Sequence, residues 1–442
     1  MQPKNNTTTQ SLQTGEDAIA SPFRSTIAPL LLLLVCPPLV PAMWAIVTHL
    51  DGSVARACTR DGFAIVLANI PRPTLSAVTV LSVYFVATLL LLNFMPGKVG
   101  YGPLTPAGNR PQYRLNGVTC YVAAHGLFWL GVWAGLYPAA VAFNHFGPIL
   151  STLCIGALLF CGFLYLKGRY FPTNTDTTFT GNPLFDYFQG VELHPRMLGV
   201  DLKQLCNCRL SMTGWSLLVV SFAAKQHELY GRVSWGMWIA VILQVAYLFK
   251  FFVWEAGYFA SLDITHDRFG YYICWGVLCW VPVLYTLGTF YLVGHPSDLP
   301  PFVAPVVLML GLASLAVNYA ADRQRQRVRQ TGGNTTVWGR APVLIEAPYE
   351  TTDGKKATNL LLASGYWGLA RHFHYVPELL LALAWTLPAG VTHVLPYFYF
   401  MFLFILLMDR AGRDDLRCEA KYGAAWLRYR EAVPYKVLPG VY

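Results

Sequence analysis

Apolar runs of bilayer length recur along this 442-residue chain. A membrane-spanning helix needs about 20 consecutive residues that are mostly apolar. Candidate runs lie at 28–50, 76–95, 118–143, 148–166, 210–224, 235–253, 271–293, 302–321, 377–390 and 394–408. Backbone groups in lipid must be satisfied within the segment, so runs of this kind form helices. The chain is therefore read as an all-α polytopic integral membrane protein with about ten transmembrane helices. Only 12% of its residues are charged, against roughly 25% in soluble domains, which excludes a soluble globular class. Residues 1–25 are polar and read as a disordered tail. Residues 26–442 read as a single transmembrane domain, with N-terminal helices over 26–224 and the ligand-binding part over 235–442.

The chain carries 32 Lys and Arg against 23 Asp and Glu. If the N-terminus is cytoplasmic, one face of the membrane holds only Arg56, Arg60, Arg72, Lys225 and Arg232 among the basic loop residues. The positive-inside rule then places both termini in the cytoplasm. This bias accounts for the basic pI through membrane-surface charge, and no nucleic-acid partner is expected. Cys206 and Cys208 are separated by a single residue, too close for a zinc half-site of the usual spacing. No metal site is expected. Pro37, Pro38 and Pro41 predict a kinked or broken first helix.

Two polar clusters flank the last apolar hairpin. Before it stands Ser364-Gly-Tyr-Trp-Gly-Leu-Ala-Arg-His-Phe-His-Tyr375. After it stands Arg410, then Arg413-Asp-Asp-Leu-Arg-Cys-Glu-Ala-Lys-Tyr-Gly423, Trp426 and Tyr429. Arg325 and Arg329, four apart on the end of the preceding helix, share a face. Arginine forks suit a phosphate. Trp367, Tyr375, Tyr422 and Tyr429 offer flat faces to a heteroaromatic ring. Asp414, Asp415 and Lys421 offer polar edges or contacts to ribose hydroxyls. The set fits a dinucleotide phosphate, although no Gly-x-Gly-x-x-Gly loop is present. The polar stretch from Lys167 to Arg209 is too long and too aromatic for a plain linker.

These stretches carry a resemblance. Thr178-Phe-Thr-Gly-Asn182, Glu192-Leu-His-Pro-Arg196, Ser221-Phe-Ala-Ala-Lys-Gln-His-Glu228, Asp263-Ile-Thr-His-Asp267, Trp338-Gly-Arg340, Leu395-Pro-Tyr-Phe-Tyr399 and both C-terminal clusters occur in one order. The chain resembles the sterol reductase family, membrane enzymes that saturate sterol double bonds with NADPH, and within it the 7-dehydrocholesterol reductase branch. The resemblance implies reduction of the Δ7 ring bond, with the Δ14 and Δ24 bonds as alternatives. It implies a sterol substrate entering from the bilayer, a setting among membrane lipids, and NADPH bound in the C-terminal half. It implies cofactor contacts at Arg325, Arg329, Leu362, Trp367, His374, Tyr375, Arg410, Asp414, Cys418, Lys421, Tyr422 and Tyr429. It places a proton donor at Tyr247, with Asp414 as a second catalytic residue. His194, Lys250, Trp254 and His374 depart from the family's usual residues. The implied location is the endoplasmic reticulum membrane in a eukaryote and the cytoplasmic membrane in a bacterium. Arg371-His-Phe-His-Tyr375 with its following hairpin also resembles S-adenosylmethionine-dependent isoprenylcysteine methyltransferases. A non-catalytic sterol-binding protein of the same fold is the third alternative.

Overall fold

The structure is a computed structural model that describes residues 22–105, 107–350 and 356–442. Most of the expected tail lies outside these residues, and the first helix is already under way at Phe23. Among the described residues, seven helices are long and apolar enough to cross a membrane. They are Phe23–His49, Leu75–Phe94, Phe146–Tyr170, Trp235–Val253, Tyr271–Gly294, Val303–Gln330 and Leu395–Tyr422. Two expected spans form shorter apolar helices, Gly117–Trp133 and Tyr375–Ala389. The remaining one, near 210–224, is the helix Gln204–Ser211 continued by Met212–Tyr230. The protein is a multi-pass integral membrane protein. Its exposed helix surfaces carry Leu34, Val83, Leu159, Met309 and Ile405, side chains that a water-facing helix would not present.

The all-α expectation needs one amendment. Among the described residues, three antiparallel two-stranded ribbons interrupt the helices: Lys98–Tyr101 with Gln112–Leu115, Arg196–Met197 with Val200–Asp201, and Leu344–Glu350 with Lys356–Leu362. Short strands between long helices leave little periodic signal, because a two-stranded ribbon draws its stability from what packs on it.

The proline-rich first helix is not broken. Ala28–His49 is continuous, with Pro37, Pro38 and Pro41 inside it. Pro41 has no N–H to offer the carbonyl of Pro37, four residues earlier. The Cys154 thiol, on Phe146–Tyr170, donates to that carbonyl instead at 3.7 Å. A neighbouring helix thus satisfies the orphaned group, the usual way a transmembrane helix tolerates proline.

By its contacts the chain forms two compact units. One holds the chain through Pro296 together with Thr392–Pro396, and the other holds Ser297–Val391 and Tyr397–Tyr442. In the first unit, the Lys167–Arg209 stretch is packed inside rather than solvated. Glu192 is buried and accepts from Lys167 Nζ (2.7 Å), the Thr173 amide (2.7 Å) and the Thr173 hydroxyl (2.7 Å). Its middle is fixed by two glycines, Gly190 and Gly270, meeting backbone to backbone. Gly190 has φ +94°, and a Cβ there would lie 2.4 Å from the Gly270 nitrogen. Only glycine allows both that conformation and that approach.

The second unit is built on Val303–Gln330. Its buried residues Val307, Gly311, Ser314, Asn318, Ala321, Asp322 and Val328 form one helical stripe. Asn318 Nδ2 ties the stripe to the next helix, Tyr375–Thr386, donating to the His374 carbonyl (3.0 Å) and Glu378 Oε2 (2.9 Å). The ribbon Leu344–Glu350/Lys356–Leu362 packs on the C-terminal end of the chain. Ala347 and Leu361 share a core there with Cys418, Ala425, Trp426, Tyr429 and Val433.

Candidate active site

The C-terminal unit gathers the predicted cofactor residues from several segments. Arg325 stands one turn beyond Ala321 and Asp322, at the edge of the buried stripe. Its guanidinium lies over the Trp367 ring at 3.8 Å from the centroid and 3.8 Å from Asp322 Oδ1. Trp367 is fixed by its own Nε1, which donates to the Ala321 carbonyl (2.8 Å), and its carbonyl accepts from the Tyr429 hydroxyl (3.2 Å). Leu362 supports the same ring from the ribbon, in a core with Val328 and Val337. Arg329 follows one turn after Arg325, is exposed, and lies in the electrostatic field of Arg325, Tyr422, Cys418 and Tyr429.

The helix Phe398–Tyr422 supplies the other wall. Arg410, Asp414, Cys418, Lys421 and Tyr422 recur at helical spacing along one side of it. Asp414 Oδ1 accepts from Arg417 Nε (3.2 Å) and from its terminal nitrogen (2.6 Å). Lys421 Nζ lies over Tyr349 at 4.1 Å and over Tyr422 at 5.3 Å. The Tyr422 hydroxyl accepts from Asn359 Nδ2 at 2.8 Å. Cys418 is buried in the core behind these side chains.

The expected flat faces are partly taken. Arg325 covers one face of Trp367. Tyr375 stacks with His372 at 5.3 Å and an interplanar angle of 12°. Tyr429 is buried beside Trp426, with ring centroids 5.1 Å apart. Tyr422 remains half-buried, with Tyr349 set edge-on to it at 5.7 Å.

Asp415 corrects a sequence expectation. It points away from its neighbour Asp414 and is committed to holding the chain end. Its Oδ1 is 3.2 Å from Arg371 Nε and accepts from Trp426 Nε1 at 3.2 Å, and its Oδ2 is 3.7 Å from Lys436 Nζ. Arg371 donates onward to the carbonyls of Val433 (2.8 Å) and Pro434 (3.0 Å). Consecutive helix positions lie about 100° apart, so only one of the two aspartates can face the site.

Sequence reasoning missed His372. It lies inside the Arg371–Tyr375 motif, but nothing in its spacing separates it from His374, which was chosen. His374 packs its ring against Trp367 (4.9 Å) and Tyr375 (4.3 Å). His372 is buried, its amide donates to the Lys436 carbonyl (2.8 Å), and its Nε2 lies 3.9 Å from Asp414 Oδ2. Burial pushes its imidazole down to about 4, against the pull of the Asp414 carboxylate, so it is neutral at pH 7. Tyr349, Asn359 and Arg417 were missed for the same reason: each reaches the site only through the ribbon or a local turn.

Tyr247 belongs to the first unit, on Trp235–Val253. Its ring packs on Trp215 at 5.8 Å. Trp215 Nε1 donates to Gln244 Oε1 (2.7 Å), and Gln244 Nε2 donates to Thr289 Oγ1 (2.6 Å). Gln244 is fully buried, so this amide is an internal brace rather than a solvated group. Lys250, one turn on, holds its ammonium over Trp254 at 5.5 Å from the ring centroid.

Comparison with known proteins identifies the lineage. Residues 54–442 match the Ergosterol biosynthesis ERG4/ERG24 family. The chain belongs to this sterol reductase family. A 7-dehydrocholesterol reductase of Arabidopsis thaliana is 44% identical over 96% of this chain and 100% of its own length. A Delta(14)-sterol reductase of Methylotuvimicrobium alcaliphilum is 35% identical over 96% of this chain and 97% of its own. A 7-dehydrocholesterol reductase of Xenopus laevis is 40% identical over 80% of this chain and 76% of its own. This sterol reductase is therefore an oxidoreductase of sterol biosynthesis embedded in a membrane. Membership sets aside the methyltransferase resemblance of Arg371–Tyr375.

Proposed function

We propose that this sterol reductase uses NADPH to saturate the Δ7 ring bond of 7-dehydrocholesterol-type sterols. The observation that carries the cofactor assignment is the convergence of Arg325, stacked on Trp367, with Asp414, Lys421 and Tyr422 in one unit. The donor set fits NADPH. It offers guanidinium forks for phosphates, a half-buried tyrosine face for a ring, and a carboxylate oxygen for hydroxyls. His372 Nε2, a buried polar atom with no hydrogen-bond partner, marks a place where a ligand group is wanted. Arg325 and Arg329 would hold phosphate, Tyr422 would flank a ring, and Asp414 would take a hydroxyl. The choice of bond rests on the 44% identity across the whole chain to a 7-dehydrocholesterol reductase.

When bound, NADPH supplies a hydride. An isolated alkene does not accept hydride until it is made electrophilic, and that is the protein's task. In a 5,7-diene, a proton delivered to C8 leaves an allylic cation at C7, delocalised over the remaining double bond. Tyr247 is the assigned donor, since a phenol holds its proton at neutral pH. One proton and one hydride add across the bond, and water returns the proton to the tyrosine. The sterol enters from lipid, and the charged cofactor enters from the cytoplasmic side, where both termini also lie.

The deciding assay incubates membranes containing the protein with NADPH and 7-dehydrocholesterol, Δ14 and Δ24 sterols, and identifies products by mass spectrometry. Loss of the Δ7 bond alone is the expected result. Loss of the Δ14 bond alone would replace this reading with the one the Methylotuvimicrobium relative favours.

Arg325 and Arg329 carry a cofactor prediction. NADPH and NADH differ only by the 2′-phosphate, and a charge-assisted contact is worth about 1.5–3 kcal/mol. Arg325→Ala with Arg329→Ala is expected to raise KM for NADPH by at least about ten-fold and to leave KM for NADH nearly unchanged. Equal losses for both cofactors would remove the arginines from 2′-phosphate recognition.

The orientation has its own check. A membrane-impermeant thiol reagent added to sealed, right-side-out cells should fail to label cysteines placed at Gly332 and at Tyr442. Labelling at one of the two sites alone would contradict the assigned topology.

A further inference from the structure

We propose that His372 is a ligand-binding residue of this site, and that His372 Nε2 and Asp414 Oδ2 together hold one ribose hydroxyl. This rests on the NADPH reading and deepens it.

The geometry is specific. The two atoms are 3.9 Å apart, beyond the 2.7–3.2 Å of a direct hydrogen bond. A single oxygen about 2.8 Å from each would subtend an angle of about 90°, within reach of a hydroxyl's donor and acceptor directions. Both partners are held in place. The His372 ring stacks on Tyr375, and its backbone amide is tied to the Lys436 carbonyl. Arg417 occupies Asp414 Oδ1, which leaves Oδ2 as the oxygen on the His372 side. The His372 side chain is 6% exposed and that of Asp414 21%, so the gap opens on the Asp414 side.

Protonation decides the chemistry of the occupant. With its proton on Nε2, the neutral imidazole donates from that atom, and the carboxylate only accepts. The group between them must accept on one side and donate on the other. A hydroxyl does both. A phosphate has no proton to give the carboxylate and is repelled by it, and an ammonium has no lone pair for the imidazole. An unmade hydrogen bond at a buried imidazole is costly, so the site gains most when the hydroxyl arrives. A water molecule has the same chemistry as a ribose hydroxyl, and the experiment must separate them.

The test uses the full-length protein in detergent and measures NADP+ affinity by calorimetry, without turnover. His372→Phe keeps the ring on Tyr375 and removes both nitrogens. His372→Gln keeps an N–H donor. The expected result is NADP+ affinity about ten-fold weaker for His372→Phe, a smaller loss for His372→Gln, and unliganded melting close to that of the original protein. On the unsubstituted protein, NADP+ analogues lacking single ribose hydroxyls should include one that binds about ten-fold more weakly. His372→Phe should not distinguish that analogue from NADP+. If no deoxy analogue loses affinity, the proposal fails, whether or not the variants fold. Unchanged NADP+ affinity with a lowered melting temperature in His372→Phe would assign the gap to a structural water and overturn it. An unsubstituted protein that binds no NADP+ at all would instead bring down the cofactor reading itself.

Discussion

Tyr247→Phe should lower turnover by about 10²–10⁴, the usual contribution of a positioned general acid. The substitution removes one hydroxyl and keeps the ring. That ring packs on Trp215, and Trp215 is pinned by Gln244 rather than by Tyr247. Helix packing and membrane insertion should therefore survive. NADP+ affinity should be unchanged, because the assigned cofactor contacts lie on other segments. The measurement is single-turnover sterol reduction at saturating NADPH, with NADP+ affinity determined on the same preparation. A folded variant that binds NADP+ and reduces sterol at the unsubstituted rate would take Tyr247 out of the mechanism. Suspicion would then pass to Asp414, because Glu255, the other nearby acid in sequence, is already engaged in an ion pair.

That ion pair carries the second large effect. Arg209 and Glu255 are both buried and hydrogen-bonded to each other through Oε1 and Oε2. Glu255 Oε2 also accepts from the Gly117 amide at 3.1 Å. Arg209 donates to Asn116 Oδ1 at 2.9 Å, and Asn116 Nδ2 donates to the carbonyls of Leu92 (3.0 Å) and Met95 (3.1 Å). One network thus joins the end of Leu75–Phe94, the start of Gly117–Trp133, Gln204–Ser211 and the segment after Trp235–Val253. Glu255→Ala strands a buried guanidinium and should cost about 3–5 kcal/mol. Replacing both partners, Arg209→Met with Glu255→Leu, removes the stranded charge and should recover much of the loss. The check is the fraction of protein that stays monodisperse on size exclusion after a heating series. A Glu255→Ala protein with the original heat resistance, or a double variant worse than the single one, would refute this account.

Both predictions depend on features of unequal legibility. The sequence alone determined the membrane class and the approximate helix positions. Lipid leaves a long apolar run no alternative to helix, so composition and length suffice. It also pointed to Arg325, Trp367, Asp414 and Tyr422, because cations and rings gathered beside an apolar hairpin are chemically conspicuous. The tertiary structure decided what each of them is free to do. Asp414 and Asp415 are adjacent and identical in kind, yet the helical turn sends one toward His372 and the other into a staple with Arg371, Trp426 and Lys436. Trp367 reads as an open ring, but Arg325 lies on its face. His372 and His374 are two apart in one motif, and only the fold sets the buried His372 3.9 Å from Asp414 and His374 against Trp367. The prolines of the first helix predict a kink or a break, and Cys154, distant in sequence, supplies the partner that Pro41 withholds from the Pro37 carbonyl. Local chemistry sets which groups are available, while contacts between residues far apart in the chain set which of them are already satisfied.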